Sequence, residues 1–587
     1  MRDVIVIGAG GGGPVVAKEL AARGLDVLLL EAGPRFAKSS REWTHFEADM
    51  SDPIRGHFRF GPATHAAPVW SRDVPQNSFV WQTAAVGGST LHYYGNSPRA
   101  MPGVFADYTG ADAAAYDRAH AFPIGYRDLL PYYDWVEHVL PVETAAMGTK
   151  EELFLHGAGK TGLPVQTGKD ITRDSFRPQE NAILQPAGTA GRTNKRSRLV
   201  YPKARGCTFC GHCAQGCIEP LRSPRNLRAK RSTDNSYVPM ALTADAWAQG
   251  GRAVTLVADA FATRIETTGG AASGVTYRRG STGEVLREDA KVVVLAAGAI
   301  ESPRLWLNSG LPNPNAWVGR GLTHHFLDVV VGRFSRYTGS SKGPASAARA
   351  DFPGRGGLEQ VGITPGLQAQ TLASSDAGIA GFYDNGSPGG LNGAHARGRL
   401  IGKRLLRFFA DIDRLMNIAC IVDDDVRPEN RVTLSTTSPP DAHGPVARVE
   451  LPFRQSPPRT FANREHVVGR AVQVLRAAGA REVVRLNWAP VLLHIHGTLR
   501  MGTSAADSVL DTNCESRAVR RLFVADNSAL PNALGGPNPT LTTQALATRT
   551  AEKIFQIYFG GDAWVGREPP VSSIDPQVTK AVVARGL

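Results

Sequence analysis

The stretch from Val4 to Glu31 constrains this chain more than any other. Val4-Ile5-Val6-Ile7 is a continuous apolar run, suited to a strand buried on both faces. Five glycines and one alanine follow, Gly8 being separated from Gly13 by Ala9, Gly10, Gly11 and Gly12. The run Pro14 to Arg23 then reads as a helix stopped at Gly24. A second apolar run, Val27-Leu28-Leu29-Leu30, ends at Glu31. Gly8, Gly10 and Gly13 therefore fill a G-x-G-x-x-G spacing inside the strand–turn–helix context that gives it meaning. Glycines there let backbone N–H groups approach a pyrophosphate at the helix N-terminus. Glu31 stands about 20 residues on, where a carboxylate accepts from a ribose hydroxyl. An acid at that position disfavours a 2′-phosphate, so the expected dinucleotide is FAD or NAD rather than NADP.

Beyond this segment the 587 residues amount to roughly three to four domains' worth of chain. Hydrophobic residues at 42% and charged residues at 20% exclude a disordered chain. No uninterrupted apolar run approaches the roughly 20 residues of a membrane helix. The passage from Met1-Arg2-Asp3 straight into a strand leaves no room for a signal peptide, so a cytoplasmic protein is expected. The net charge of +13 is spread along the chain without a nucleic-acid recognition motif, which argues against a nucleic-acid partner. It is densest at Arg192, Lys195, Arg196, Arg198, Lys203 and Arg205 and again from Arg222 to Arg231.

Four further segments choose the cofactor. They are Val80 to Arg99, with Gly87-Gly88-Ser89-Thr90-Leu91-His92; Gly298 to Gly310; His494-Ile495-His496-Gly497-Thr498; and Leu522 to Ser528, followed by Gly535-Gly536-Pro537-Asn538-Pro539-Thr540. Together with the glycine loop these resemble the glucose–methanol–choline (GMC) oxidoreductases, nearest the pyranose oxidase, glycoside oxidase and gluconate dehydrogenase branches. The resemblance implies an α/β fold with FAD as cofactor. A Rossmann-like FAD-binding domain would be assembled from residues 1–110, 195–325 and 485–570. A substrate domain carrying an antiparallel β-sheet would come from 111–194 and 326–484. The alternating runs 430–435 and 446–451 read as a hairpin, which the resemblance places at the floor of the substrate pocket. Gly/Ser-rich stretches at 339–357 and 384–399 are expected at the surface.

The resemblance also implies site residues. The His-x-x-Gly-Thr pattern makes His494 the catalytic base, an assignment suited to imidazole chemistry near neutral pH. His496 lies two residues on, and spacing alone does not separate the two. Asn538 matches the second active-site position, His or Asn in the family; an amide can bond the substrate hydroxyl but accepts protons poorly. Cofactor contacts are expected at Gly8, Gly10, Gly13, Glu31, Gly87, Gly88, His92, Asp526, Asn538, Pro539 and Thr540. His92 stands where the pyranose oxidase branch attaches its flavin covalently; non-covalent contact with the flavin ring is the expectation here.

Four of six cysteines form a run, Cys207, Cys210, Cys213 and Cys217. The C-x2-C-x2-C-x3-C spacing is that of bacterial ferredoxins, although Pro220 comes late. An iron–sulfur cluster is the leading expectation, with structural zinc and metal-free thiols or disulfides as alternatives. Cys217 need not close the same cluster, in which case Cys420 or Cys514 would supply the fourth ligand or the cluster would hold three irons. A cluster beside the flavin would pass single electrons to an electron-acceptor protein or quinone, favouring a dehydrogenase over an oxidase. The function expected is oxidation of a CH–OH group in a sugar, glycoside or polyol. A flavin-containing lyase and a non-catalytic FAD/iron–sulfur electron carrier are the rivals.

Overall fold

The computed structural model describes residues 1–37, 68–75, 79–185, 206–221, 223–280, 282–373, 400–452, 458–486 and 491–587. The basic stretch at 192–205, Arg222 and the loop 384–399 lie outside the described residues.

The first strand, Arg2–Ile7, is the centre of a mixed seven-stranded sheet. It pairs in parallel with Val27–Leu30 on one side (Ile5 opposite Leu28) and with the end of Val285–Leu295 on the other (Ile5 opposite Val293). Thr255–Val257 and Leu522–Val524 extend the parallel part, so distant segments of the chain meet in one layer. The start of Val285–Leu295 instead pairs antiparallel with Ala271–Arg279, and that strand with Ala260–Thr268. Val4, Ile5, Val6 and Val292 to Leu295 are fully buried, as a run apolar on both faces requires. The helix Gly13–Ala21 is buried along its whole length against the sheet. Even its charged pair is internal: Lys18 donates to Glu19 at 2.8 Å, and Glu19 also accepts from the Trp135 indole at 2.8 Å.

A second, six-stranded sheet is antiparallel throughout. Its order is Glu482–Arg485, Phe326–Arg333, Leu415–Val422, Gly356–Val361, Ala348–Phe352 and Ser175–Pro178. The period-2 alternation sorts its two faces. Val330, Leu358, Met416, Ile418 and Val422 join a core with the helices Pro458–Ala477 and Thr149–Lys160. Leu327, Glu359, Val361, Ala419 and Ile421 face a cavity shared with the first sheet.

Two sequence expectations change. The runs 430–435 and 446–451 do form an antiparallel hairpin, Arg431–Leu434 with Ala447–Glu450. It is joined by Arg72–Asp73 rather than by the six-stranded sheet, and the latter floors the cavity instead. The Gly/Ser-rich stretch 339–357 is no surface loop: it contains the buried strand Ala348–Phe352, and its glycines permit tight backbone crossings. A Cβ at Gly356 (φ +131°) would stand 2.2 Å from the Ile421 carbonyl oxygen of the neighbouring strand. Among the described residues no helix is long and apolar enough to cross a membrane.

Candidate active site

One cavity of about 570 Å³ runs from the glycine loop to the second sheet. At its first end the strand Arg2–Ile7 turns into the helix Gly13–Ala21. Gly8 adopts φ +104°, and a Cβ there would meet the Ala296 carbonyl oxygen at 2.3 Å. Gly13 is equally committed to packing, since its Cβ would lie 1.9 Å from the Gly8 carbonyl oxygen. Gly10 differs: a Cβ would meet nothing within 4 Å, and the residue faces the cavity. A cradle of that kind, beside a helix N-terminus, fits a pyrophosphate. The N-termini of Gly298–Asn308 and Thr540–Phe559 also open onto the cavity at Gly298 and Thr540. Three helix ends around one space favour an anionic occupant.

Glu31 lines this end and braces the loop. Its carboxylate accepts from the backbone N–H of Ala9 and of Gly33, each at 2.8 Å. Burial nevertheless pushes it up to about 7. Asp526 accepts from the Gly298 N–H at 2.9 Å and the Ser302 hydroxyl at 2.6 Å, tying the strand Leu522–Val524 to the helix Gly298–Asn308. Gly88, His92, Asn538, Pro539 and Thr540 line the same space. Gly13 and Gly87 stand behind the wall; the Gly87 N–H donates to the Ala9 carbonyl at 2.8 Å. His92 Nδ1 lies 2.9 Å from the Ala214 carbonyl, so that nitrogen carries the proton.

At the other end the backbone separates the two histidines that spacing could not. The short strand Ile495–His496 pairs with Thr323–His324. His494 lines the cavity, whereas His496 is fully buried behind it, its ring 5.2 Å from that of His325. Neither ring nitrogen of His496 has a hydrogen-bond partner among the described residues. His494 Nδ1 lies 2.9 Å from His325 Nδ1, and His325 Nε2 lies 2.6 Å from the Ala533 carbonyl oxygen. Burial, with His325 beside it, holds His494 well below the usual histidine value of 6.5; burial takes His325 down to about 4. Both rings are neutral at physiological pH.

Asn538 is held by groups that no sequence motif marked. Glu359 and Arg349 face each other across adjacent strands of the second sheet. Arg349 is clamped by Asp351 through bonds of 2.6 to 3.0 Å. It reaches the amide oxygen of Asn538 at 3.5 Å. Glue of opposite sense comes from Glu359, which accepts from the Asn96 amide at 2.9 Å and interacts with the Asn538 side chain. Burial raises this carboxyl to about 7 against the opposing pull of Arg349. Asn96 follows the Gly87-Gly88 motif closely enough that its sequence position gave a hint; Glu359, Arg349 and His325 are brought in only by strand pairing.

The cysteine run does not join this cavity. Cys207, Cys210, Cys213 and Cys217 surround a separate space of about 20 Å³, room for about one water. All four are free thiols. Among the described residues no group of three or more His, Cys, Asp or Glu side chains is placed to hold a metal ion, so iron–sulfur and zinc find no support. Nor do the remote cysteines close a ligand set: Cys420 belongs to the core beneath the second sheet, and Cys514 to that of the first.

With this geometry in hand, two family models for GMC oxidoreductase match residues 3–327 and 427–547. The chain belongs to the GMC oxidoreductases. It is an FAD-dependent enzyme acting on CH–OH groups. This GMC oxidoreductase is 28% identical to a 2-methyl-1,2-propanediol dehydrogenase of Mycolicibacterium austroafricanum, covering 94% of this chain and 95% of that one. It is 27% identical to a paromamine 6'-oxidase of Streptomyces fradiae, over 94% and 91%. Its fold matches that of a pyridoxine 4-oxidase from Mesorbium loti with a TM-score of 0.58 at 17% identity, over 96% and 100% of the two chains.

Proposed function

We propose that this enzyme oxidises a primary or secondary alcohol carbon of a sugar, glycoside or polyol, with His494 as the base. The observation that carries this reading is the continuity of one cavity from the glycine cradle to His494 and Asn538. FAD, when bound, supplies the hydride acceptor. His494 takes the hydroxyl proton, and the O–H electron pair becomes the second bond of the carbonyl as the hydride leaves carbon. Asn538, its oxygen turned to Arg349 and its nitrogen to Glu359, keeps an N–H with which to donate to the substrate oxygen. Asn96 and Glu359 among Leu327, Val361 and Ile421 give the pocket few but well-placed polar groups, which suits a hydroxyl-bearing substrate. The relatives named for a propanediol and for paromamine agree with that class. We read residues 1–110, 195–325 and 485–570 as the FAD-binding domain, and 111–194 and 326–484 as the substrate domain.

Anaerobic mixing with sugars, glycosides and polyols tests the proposal. Bleaching of the flavin absorbance by members of these classes is the expected result. A holoenzyme that none of them bleaches, but that cleaves a hydroxylated compound without redox change, would instead be a lyase.

A further inference from the structure

We propose that His325 is a positioning residue that locks His494 in the tautomer able to accept the substrate proton; this rests on reading His494 as the base. The protons along this pair are fixed by what stands at its far end. The Ala533 carbonyl oxygen can only accept, so His325 Nε2, 2.6 Å away, carries a proton. A neutral imidazole has one N–H, so His325 Nδ1 is bare and accepts. His494 Nδ1, 2.9 Å away, is the donor that meets it among the described residues. His494 therefore carries its proton on Nδ1, and its Nε2 is left with a lone pair.

The surroundings keep the pair in this state. His325 is 2% exposed and turned at a steep angle to His494, the ring planes meeting at 84°. Arg349 stands near His325 from the second sheet and, with burial, opposes a second proton on it. A proton on His325 Nδ1 would reverse the pair and force the His494 proton onto Nε2, leaving no acceptor for the substrate. After proton abstraction the same bond lets His494, now imidazolium, share its charge with a neutral acceptor. His325 owes its place to the pairing of Thr323–His324 with Ile495–His496, so the two strands serve to juxtapose these rings.

Three variants of the holoenzyme, together with the wild type, test the inference. His325→Phe keeps the ring volume but removes the acceptor. His325→Gln gives up the ring but retains an acceptor for His494 and a donor for Ala533. If His325 sets the tautomer, flavin reduction falls about tenfold or more in the Phe variant, and the Gln variant recovers most of it. That loss should stay short of the roughly 10²–10⁴-fold cost of a missing base, measured in His494→Ala. A role in packing predicts the opposite order, Phe above Gln, and that order overturns the proposal. A readout independent of turnover is the nitrogen NMR spectrum of protein labelled at histidine with ¹⁵N, the His494 signals being those lost in His494→Ala. A protonated Nδ1 and bare Nε2 are expected in the wild type; a bare Nδ1 overturns the inference whatever the substrate. Wild-type reduction rates in His494→Ala would instead sink the assignment of the base, while the spectrum still judges the His325 contact.

Discussion

Two histidines only two residues apart have opposite fates here. His494 faces the cavity, while His496 is enclosed with its ring against His325. His494→Ala should retain FAD and slow flavin reduction by about 10²–10⁴-fold; His496→Leu should change it far less, as stopped-flow absorbance will show. Their pH dependence separates a second pair. Burial keeps His494 below 6.5, so its protonation limits the rate only on the acid side of that value. Glu359 ionises at about 7, and only its carboxylate form accepts from both Asn96 and Asn538. Flavin reduction should therefore rise as pH passes through about 7. In Glu359→Gln that inflection should vanish while the acid limb remains. An inflection near 7 that survives in the Gln variant would assign it to another group.

At the scale of elements, the second sheet depends on a buried charge cluster. Asp328 points away from the cavity and accepts from Arg464 at 2.9 and 3.1 Å and from Arg485 at 3.0 Å. The two guanidinium groups overcome burial and hold this carboxyl well below its ordinary value of 3.8. A depressed carboxylate contributes stability that is present above the unfolded value and lost as pH falls beneath it. Asp328→Asn leaves Arg464 without a carboxylate and Arg485 with Glu465 alone, 3.0 Å away, at a cost of about 3–5 kcal/mol. Thermal unfolding should show that loss at pH 7, with the gap to wild type narrowing below about pH 4. A variant as stable as wild type at pH 7 would mean that the arginines find other partners. The strand pattern that places Asp328 was partly legible: Phe326 to Val331 is an apolar run broken by one acid, which signals a paired charge without naming its partners.

Across the whole molecule, legibility follows sequence distance. The glycine loop was readable because strand, turn, helix and Glu31 lie within one local segment. Spacing alone could not separate His494 from His496, because their surroundings are set by pairing with Thr323–His324, remote in the chain. Glu359 and Arg349 carry no motif and meet Asn538 only through sheet register. The cysteine run is the converse case: its local spacing resembles a ferredoxin, yet among the described residues no group is placed to hold a metal ion.

FAD binding offers a test at the same scale. Gly10 and Gly13 belong to one motif, but their Cβ positions differ in kind. At Gly10 nothing lies within 4 Å, so Gly10→Ala should leave the apoprotein's unfolding temperature unchanged. Its methyl group would occupy the space that the pyrophosphate needs, so FAD affinity should fall. A ligand at a hundredfold excess over its Kd adds about 2.7 kcal/mol to stability. Gly10→Ala should lose much of that increment on adding FAD. At Gly13 a Cβ would lie 1.9 Å from the Gly8 carbonyl oxygen, so Gly13→Ala should weaken the apoprotein itself. Thermal scans of both variants with and without FAD distinguish the cases. A Gly10→Ala protein that binds FAD as tightly as wild type would show that the open space at the loop is not where the pyrophosphate lies.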